Sequence, residues 1–453
     1  ATVAMRLAPY GIRALIVERE RFPRYHIGES MTGEAGAVCR ELGLGDRMIA
    51  AGHPIKHGVA VYGPRGNKDW FLPVQQRTED LVMHDQVTWQ VRRSVFDTMM
   101  LEEAVTRGAG LLQGRAVSPL VDDSSGAVRG AQVRTDDGST IDIAAELTVD
   151  CSGQATFLAN QKVTGPKYVG SYDKQIAVFS QVANFVRDDG EARADQPGNT
   201  LIFYKKKYHW AWAIPIDDEV TSIGVVIPAQ YFREAKQSKE DFVRREMVEL
   251  SSALTDRIPE PELVEPAHVI PNYSFQVRDW GGPGFLCVGD SHRFVDPIFS
   301  FGLFVSMKEA CFAADAIASY LDGKGRRLPD DPNPFGEHII NVEKGIDMFE
   351  DMIDTFWENP IAFAVFAHDR YREQMIDILA GRVFEGMPHG GRERALAACR
   401  KLLQRERSYD DAETVSVPIG SRFDPSRAPL WNSELDSVET TERWMREGDL
   451  AEQ

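Results

Sequence analysis

The stretch that decides the fold is residues 285–302, which read FLCVGDSHRFVDPIFSFG. Its first four residues, Phe285–Val288, are apolar and predict a short buried strand that runs directly into Gly289-Asp290. At such a strand end, glycine lets the backbone approach a cofactor closely and the carboxylate accepts hydrogen bonds from hydroxyl groups. A mostly apolar helix is expected from about Gly302 to Tyr320, and its first turn offers free amides to an anion. A capped loop before a helix has the same pattern, so this stretch alone leaves both interpretations open.

The amino-terminal residues predict a second part of the same domain. Residues 1–7 look like the end of a helix, and Ala14–Val17 is a short apolar strand that ends at Glu18. An acid at this position of a βαβ unit is where a dinucleotide fold binds a ribose hydroxyl, although most strand-terminal acids are simply solvated. The first strand and the glycine-rich loop that should precede this helix are absent from the sequence. Because a parallel sheet without its central strand should be unstable, we expect both to lie upstream in the native protein.

Composition and charge exclude several classes of protein. The chain has 453 residues, 43% of them hydrophobic, which is enough for two or three packed units. The formal net charge of -18 opposes binding to nucleic acids and to anionic membranes. No apolar run has membrane-spanning length, and no secretory signal is present. The five cysteines are an odd number without Cys-x-x-Cys spacing, so we expect reduced thiols in a cytoplasmic protein and no metal site.

A sheet-rich middle unit is predicted from residue 170 to residue 228. Its clearest strands are Ile202–Tyr204, Trp210–Ile214 and Ser222–Ile227. Residues 210–215 read Trp-Ala-Trp-Ala-Ile-Pro, and the i, i+2 spacing directs Trp210 and Trp212 to one face of the sheet, where together they can wall a cavity. The alternative is an aromatic pair in a sheet core, since strands favour aromatic residues.

A helical region is predicted to follow. The stretch Pro329–Pro334 breaks regular structure and reads as a linker. Beyond it, apolar residues recur at helical spacing and predict a helix with one aromatic face. These residues are Ile346, Phe349, Ile353, Phe356 and Trp357. Such faces are usually core, and a pocket wall is the alternative. After about Asp410 we expect a charged, extended tail.

Several motifs together resemble the FAD-dependent monooxygenase superfamily and, within it, the flavin-dependent halogenases. In chain order they are Gly28-Glu29-Ser30, Gln90 with Arg93 ahead of Phe96-Asp97, Asp150–Gly153, the tryptophan motif, and Gly289-Asp290 with Asp296-Pro297. The resemblance covers residues 1 to about 405, and it is to the branch that acts on phenols and pyrroles, often as acyl groups on carrier proteins. It implies an α/β fold: an FAD-binding Rossmann-like (GR2-type) domain, an inserted antiparallel β-sheet substrate domain and a helical C-terminal region.

The domain boundaries expected from this resemblance are as follows. Residues 1–165 and 276–325 would form the FAD-binding domain, and residues 166–275 the β-sheet-rich middle domain. Residues 326–453 would form the helical C-terminal region with its tail.

The resemblance also implies roles for individual residues. Glu18 would bind the adenosine ribose, and Gln90 and Arg93 would contact the polar chain of the flavin. Gly289 would let the backbone approach the cofactor, and Asp290 would contact the ribityl region. Pro297 and Gly302 would lie beside the isoalloxazine. Trp210 and Trp212 would form a wall of the active site that discourages ordinary monooxygenation.

Lys56, in the stretch His53–Gly58, matches the catalytic lysine of the family. In the family, reduced FAD, O2 and halide give hypohalous acid, which travels through a tunnel to the substrate. A lysine at the far end would hold this oxidant at a fixed distance from the ring, either by a hydrogen bond from its ammonium or as a haloamine. Burial would ease its deprotonation. Without the resemblance, one of 51 basic residues is simply a surface charge.

The chain departs from the family pattern in three places. Ser300-Phe301-Gly302 stands where relatives have Ser-Ser-Gly; the amides of Phe301 and Gly302 are the expected halide ligands, yet the phenyl ring would crowd that site. His292 and Arg293 stand where small residues are common, and they would either favour an anion or pair with acids. If the glycine-rich loop is truly absent, FAD should bind poorly because its pyrophosphate loses an amide cradle.

The sequence therefore predicts an FADH2-dependent halogenase that uses chloride or bromide with O2. It would receive FADH2 from a separate NADH-dependent flavin reductase and halogenate a pyrrolyl or phenolic group, preferably one tethered to an acyl or peptidyl carrier protein. Lys205-Lys206-Lys207 would suit an acidic carrier, although a charged hairpin turn is the preferred interpretation. Two alternatives stay open: a flavoprotein that hydroxylates or oxidises without halide, which Phe301 keeps open, and a catalytically silent binding protein, suggested by the absent glycine loop.

Overall fold

The computed structural model describes residues 1–403 apart from residues 173, 207, 272 and 330. The strands are β1 Leu15–Glu18, β2 Ile55–Lys56, β3 Gly58–Tyr62, β4 Lys68–Pro73, β5 Gln75–Arg77, β6 Met83–Asp85, β7 Thr88–Trp89, β8 Gly110–Val121, β9 Val128–Thr135, β10 Thr140–Ala144, β11 Thr148–Asp150, β12 Lys167–Val169, β13 Gln175–Val182, β14 Thr200–Lys206, β15 His209–Pro215, β16 Thr221–Pro228, β17 His268–Pro271, β18 Phe275–Val277, β19 Gly281–Gly282, β20 Phe285–Cys287 and β21 Arg293–Phe294.

The α-helices are α1 Thr2–Leu7, α2 Gly33–Glu41, α3 Gly45–Ala50, α4 Arg93–Thr106, α5 Phe157–Asn160, α6 Ala229–Ala235, α7 Lys239–Glu249, α8 Ser252–Thr255, α9 Gly302–Leu321, α10 Gly336–Glu358, α11 Pro360–Val365, α12 Arg372–Ala380 and α13 Arg392–Leu402. The predicted α/β class is confirmed, as is the long helix expected from Gly302. The tail expected after Asp410 lies outside the described residues.

A seven-stranded sheet positions the tryptophan motif. Its order is β17-β13-β16-β15-β14-β3-β4, and all neighbours are antiparallel except β14 and β3. The three strands predicted in the middle unit are present as β14, β15 and β16. β3 and β4 extend this sheet with residues from before position 166. Ala211 and Ala213 face a core formed with α7 and α8, while Trp210 and Trp212 face a second core that includes α10.

Two parallel strand pairs lie near the amino-terminal helix. β1 pairs with β8, and β11 pairs with β20, but the two pairs belong to separate sheets. Within the part of the chain that the structure describes, β1 and β11 each have one edge without a strand partner. Val3 and Leu7 of α1 pack with Leu286 of β20 and Ile317 of α9 in one buried cluster.

Glu309 of α9 anchors the turn that follows β20. The amide of Gly289 donates to Glu309 Oε2 at 2.8 Å, and His292 Nε2 lies 2.9 Å from Oε1 of the same carboxylate. His292 and Glu309 are fully buried, and the nearby acids raise the pKa of His292 against the effect of its burial. The imidazole ring also stacks on Trp280, with 3.9 Å between the ring centroids. This turn is therefore held by a buried charge pair and by stacking.

Arg293 ties the same segment to α10. Its guanidinium donates to Asp347 and Glu350, each at 2.6 Å, and also to Glu343. Arg293 and these acids are buried, so their charges are compensated inside the cluster rather than by solvent. His292 and Arg293 thus pair with acids, which is the second of the two possibilities left open by the sequence.

The ring of Trp212 lies over Gly224, its neighbour in β16. A Cβ added to Gly224 would lie 2.2 Å from two ring atoms of this indole. We expect Gly224→Ala to lower the free energy of unfolding by about 1 to 3 kcal/mol, because overpacking forces the ring to move. Denaturant unfolding measures the change. The control is Gly45→Ala, whose added Cβ would meet only the flexible Arg40 side chain at 3.6 Å. Equal unfolding midpoints for the two variants would contradict this packing.

Candidate active site

Trp210 and Trp212 lie side by side on the inner face of the seven-stranded sheet. Both are buried, and their ring centroids are 5.9 Å apart. Trp212 Nε1 donates to Ser222 Oγ at 3.3 Å. Trp210 Nε1 is buried without a hydrogen-bond partner in the described part of the chain. Because an unpaired buried donor costs free energy, this indole N–H is suited to an acceptor bound in the site.

An aromatic cluster covers this face of the sheet. Phe356 of α10 meets Trp70, Tyr204 and Phe299 edge-on, at centroid distances of 6.2, 5.6 and 5.5 Å. Phe299 belongs to the segment that follows Pro297, so the cluster links that segment to the sheet. The predicted aromatic face of α10 exists, and its residues pack in the core.

Lys56 is buried, with only 2% of its surface exposed. Its ammonium nitrogen Nζ donates to Ser30 Oγ at 2.9 Å and to the Met31 carbonyl oxygen at 3.0 Å. No carboxylate pairs with it among the described residues, and burial lowers the pKa of Lys56 to about 7. Ammonium and free amine are therefore both populated near neutral pH. This balance suits a group that either donates a hydrogen bond or reacts as a nucleophile.

Hydroxyl groups connect Lys56 to Gln90. Ser30 Oγ lies 2.8 Å from Thr200 Oγ1, and Gln90 Nε2 donates to the same Thr200 oxygen at 2.8 Å. Gln90 Nε2 also donates to the Gly198 carbonyl at 3.0 Å. Gln90 Oε1 is buried and has no partner within the described residues. The structure thus brings the predicted residues Lys56 and Gln90 into one network, through two hydroxyl residues to which the sequence interpretation gave no role.

Glu29 is a further buried group with no role in the sequence interpretation. It is 1% exposed, and burial raises its pKa to about 7 although a hydrogen bond from Ser222 and the charge of Arg93 act against this rise. Ser222 also accepts the indole hydrogen bond of Trp212, so one hydroxyl joins Glu29 to the tryptophan motif. The Gly-Glu-Ser motif was the available signal, but nothing in it indicates a carboxyl group buried without a salt bridge.

Arg93 and Asp290 form a charged part of the candidate cofactor site. Arg93, the first residue of α4, donates to the carbonyl oxygens of Ile27 and Gly28 at 2.6 and 3.1 Å, and it pairs with Asp97 at 2.7 Å. Asp290 lies in the turn after β20, where burial raises its pKa to about 7 and the charge of Arg93 partly opposes the shift. Arg93 therefore orders the backbone before Glu29 and also acts on Asp290.

The two residues predicted to bind halide, Phe301 and Gly302, lie at the amino-terminal end of α9. Gly302 is the first residue of this helix, and no side chain caps it, so its first amides are available to an anion. The side chain of Phe301 is buried and packs against α10. The residue is 5% exposed, and its ring stacks on Phe349 with 3.6 Å between centroids. The phenyl ring that was expected to crowd the halide is thus held in the core by α10.

Pro297 lies between Asp296 and Ile298, which are joined by a hydrogen bond. Asp296 accepts hydrogen bonds from the Ile298 amide at 3.0 Å and from the Tyr273 hydroxyl at 3.2 Å. Burial raises the pKa of Asp296 to about 7. Glu18 stands apart from this region, at the end of β1, where its carboxylate accepts the amide of Glu20 at 2.8 Å.

Comparison with known proteins identifies the family of this chain. The family model described as FAD binding domain matches residues 1–328. A 1H-pyrrole-2-carbonyl-[peptidyl-carrier protein] brominase of Pseudoalteromonas luteoviolacea is 35% identical over 377 residues, which are 83% of this chain and 87% of that protein. The chain belongs to the flavin-dependent halogenases.

Two further relatives agree with this membership. A 1H-pyrrole-2-carbonyl-[peptidyl-carrier protein] chlorinase of Pseudomonas fluorescens is 28% identical over 402 residues, 85% of this halogenase and 87% of that protein. The solved structure of the flavin-dependent brominase Bmp2 superimposes with a TM-score of 0.78 at 33% identity, covering 89% of this chain and 95% of that one. The prediction of a halogenase with FAD and halide is confirmed over both alternatives.

The residues of this halogenase fit an FAD molecule. Gln90 Oε1 and Glu29 Oε1 are buried acceptors without partners in the described region. Gly289 has φ +67° and an added Cβ would meet Ser306 Oγ at 2.6 Å, so the turn before Asp290 requires glycine. The residues that would hold the cofactor are Glu18, Gln90, Arg93, Gly289, Asp290, Pro297 and Gly302. Bound as FADH2, the cofactor would supply the redox chemistry by which halide and O2 give hypohalous acid and water.

Two findings concern other kinds of site. In the described part of the chain, no helix combines the length and apolar character that crossing a bilayer requires. Among the same residues, no three His, Cys, Asp or Glu side chains converge as metal ligands.

Lys205 and Lys206 are exposed at the end of β14, in the hairpin with β15; Lys207 lies outside the described residues. The two described lysines therefore match the charged-turn interpretation.

Burial of Lys56 predicts a stability change that depends on pH. A lysine whose pKa falls from 10.5 to about 7 on folding destabilises the folded state below pH 7, and this cost disappears as pH rises to the unfolded value. We expect Lys56→Met to be more stable than the parent near pH 7. Its advantage should shrink by about 1.4 kcal/mol per pH unit between about pH 7 and 10.

Denaturant unfolding across this pH range measures the difference between Lys56→Met and the parent. The control is Lys205→Met, an exposed lysine, for which the difference should not vary with pH. A pH-independent difference for Lys56→Met would show that the Lys56 ammonium does not lose its proton on folding.

Proposed function

We propose that this halogenase transfers bromine or chlorine to a pyrrolyl group carried as an acyl thioester on a peptidyl carrier protein. A carrier-bound phenolic acyl group is the second candidate. The observation that carries the catalytic proposal is the buried amine of Lys56, which has no counter-ion among the described residues and a pKa of about 7. The two pyrrole-2-carbonyl carrier-protein halogenases among the relatives support the choice of ring and of tethering.

Lys56 is the proposed catalytic residue. Its ammonium would donate a hydrogen bond to hypohalous acid and polarise the oxygen–halogen bond, or its amine would take up the halogen as a haloamine. Either form holds the reactive halogen at a fixed position, which raises its effective concentration beside the ring. Trp210 and Trp212 would form the wall between this site and the cofactor.

The halide would bind at the amides of Phe301 and Gly302. The uncapped helix end of α9 supports this assignment because helix amino termini attract anions. The stacking of Phe301 on Phe349 supports it further, since the ring has a place in the core.

The remaining partners follow from this chemistry. Halogenation at each turnover consumes reduced flavin, so an NADH-dependent flavin reductase would supply diffusible FADH2. A cytoplasmic location is proposed from the cysteines, because those in the described residues are all free thiols.

Mass spectrometry of products tests the proposed function. The full-length protein is given FAD, a flavin reductase with NADH, and O2, together with pyrrole-2-carboxylate or phenolic substrates, free or loaded on a carrier protein. We expect a halogen isotope pattern that requires protein, halide and the carrier-bound pyrrole. Halogenation of free acids at the same rate would contradict tethering, and hydroxylation without halide would contradict the halogenase.

Replacement of Lys56 tests its role. Lys56→Ala should lower the yield of halogenated product by at least about 100-fold, a typical contribution of a positioned acid or base. Oxidation of FADH2 and release of peroxide should continue, because these steps do not use the amine. Lys205→Ala is the matched control and should halogenate like the parent. Retained halogenation in Lys56→Ala would remove Lys56 from the mechanism.

A further inference from the structure

We propose that Gln90, Thr200 and Ser30 are positioning residues that form a directed chain of hydrogen bonds ending at the Lys56 amine and leave one tetrahedral position of Nζ for the oxidant. This inference rests on the proposed catalytic role of Lys56. It assigns to Gln90 a second role beside its predicted contact with the flavin.

The free position follows from the geometry around Nζ. A lysine nitrogen has three positions besides its bond to carbon. One is directed to Ser30 Oγ at 2.9 Å and one to the Met31 carbonyl at 3.0 Å. The third has no partner among the described residues. Two of the three directions are thus fixed by the protein, and the third is the one that we assign to the oxidant.

Gln90 gives the chain its direction. Both hydrogens of Gln90 Nε2 are committed, one to the Gly198 carbonyl and one to Thr200 Oγ1. A carbonyl oxygen only accepts, so the amide nitrogen is held as a donor toward Thr200. Thr200 Oγ1 accepts from Gln90, which leaves its proton for Ser30 Oγ at 2.8 Å. Successive donors of this kind strengthen one another in a buried site.

Ser30 is the member of the chain that changes role. It accepts from Lys56 when the nitrogen is an ammonium. When the nitrogen is a free amine, Ser30 is able to donate to its lone pair, since Thr200 then donates to Ser30. The Met31 carbonyl cannot reverse in this way. The donor chain therefore favours the amine, with an N–H in the open third position.

The titratable groups on the elements around Lys56 do not bond to its amine. Glu29 bonds to the Gly28 amide and to Ser222, and Glu34 pairs with Arg382. His53 and His57 flank Lys56 in the chain. Burial lowers the pKa of Lys56, and none of these four groups contributes to that shift. A change in the pKa of Lys56 that follows a substitution at Gln90 is therefore not expected to come from these four groups.

Nuclear magnetic resonance of 13C-labelled lysine tests the chain without halide, substrate or turnover. The Lys56 signal is assigned with Lys56→Met and titrated in the parent and in Gln90→Glu. Glutamate has the same shape but accepts instead of donating, and it brings a negative charge. We expect the pKa of Lys56 to rise by about one unit in Gln90→Glu.

A second substitution distinguishes an effect carried by the hydrogen-bond chain from direct attraction between the two charges. Thr200→Val removes the hydroxyl link, and the effect of Gln90→Glu on the pKa of Lys56 should then fall to less than half. Thr200→Ser should restore it. Thr88→Val is the matched control, because the Thr88 hydroxyl is also buried but bonds to the Thr32 carbonyl. In that background the full shift should remain.

The outcomes separate this inference from the proposed function. An unchanged pKa of Lys56 in Gln90→Glu, or a shift that survives in Thr200→Val, would overturn the chain even if the parent halogenates. A confirmed chain in a protein that halogenates no carrier-bound ring would leave the positioning intact and remove the function. In an active enzyme, the limb of the pH profile for halogen transfer should move by the same amount as the pKa.

Discussion

The pairing of buried charges on the segment after β20 is the constraint on which the predicted cofactor site of this protein depends. Glu309 holds the Gly289 amide and His292, and Arg293 is surrounded by three acids of α10. Removing one partner of such a cluster leaves an uncompensated buried charge, which typically costs about 3 to 5 kcal/mol. Asp290 lies between Gly289 and His292, so these pairs fix its position.

Lys56 is buried in the opposite way, without an acidic partner among the described residues. Its nitrogen is as deeply buried as Arg293, but it meets a hydroxyl and a carbonyl instead of a carboxylate. A paired lysine would stay charged at neutral pH, whereas this one has a pKa of about 7. The protein thus keeps Arg293 charged within the scaffold and leaves Lys56 able to change its protonation state, as its proposed role requires.

The seven-stranded sheet joins the Lys56 network to the aromatic cluster. Thr200, at the start of β14, binds the Lys56 network, and Phe356 packs on Tyr204 near the end of that strand. Trp212 occupies the middle because Gly224 leaves room for its ring. Strand β14 therefore sets the spacing between the Lys56 network and the aromatic cluster.

Much of this was predictable from local pattern. Alternation in β14, β15 and β16, the apolar run of α9 and the aromatic periodicity of α10 depend only on neighbouring residues, and the ordered motifs identified the family. Even the i, i+2 spacing of Trp210 and Trp212 sufficed to place both rings on one face. Less was predictable about Phe301, whose ring could be assigned to the core only once α10 was seen to bring Phe349 against it.

The sequence by itself determined the fold class, the family and the identity of Lys56 as the candidate catalytic residue, because these follow from periodicity and from motifs read along the chain. Only the tertiary structure decided that Lys56 is buried among hydroxyls, that Gln90 meets Thr200 across 110 positions of sequence, and that Arg293 is neutralised by α10. The reason is physical: desolvation and hydrogen-bond direction depend on groups brought together from distant segments, and no local pattern encodes which segments those are.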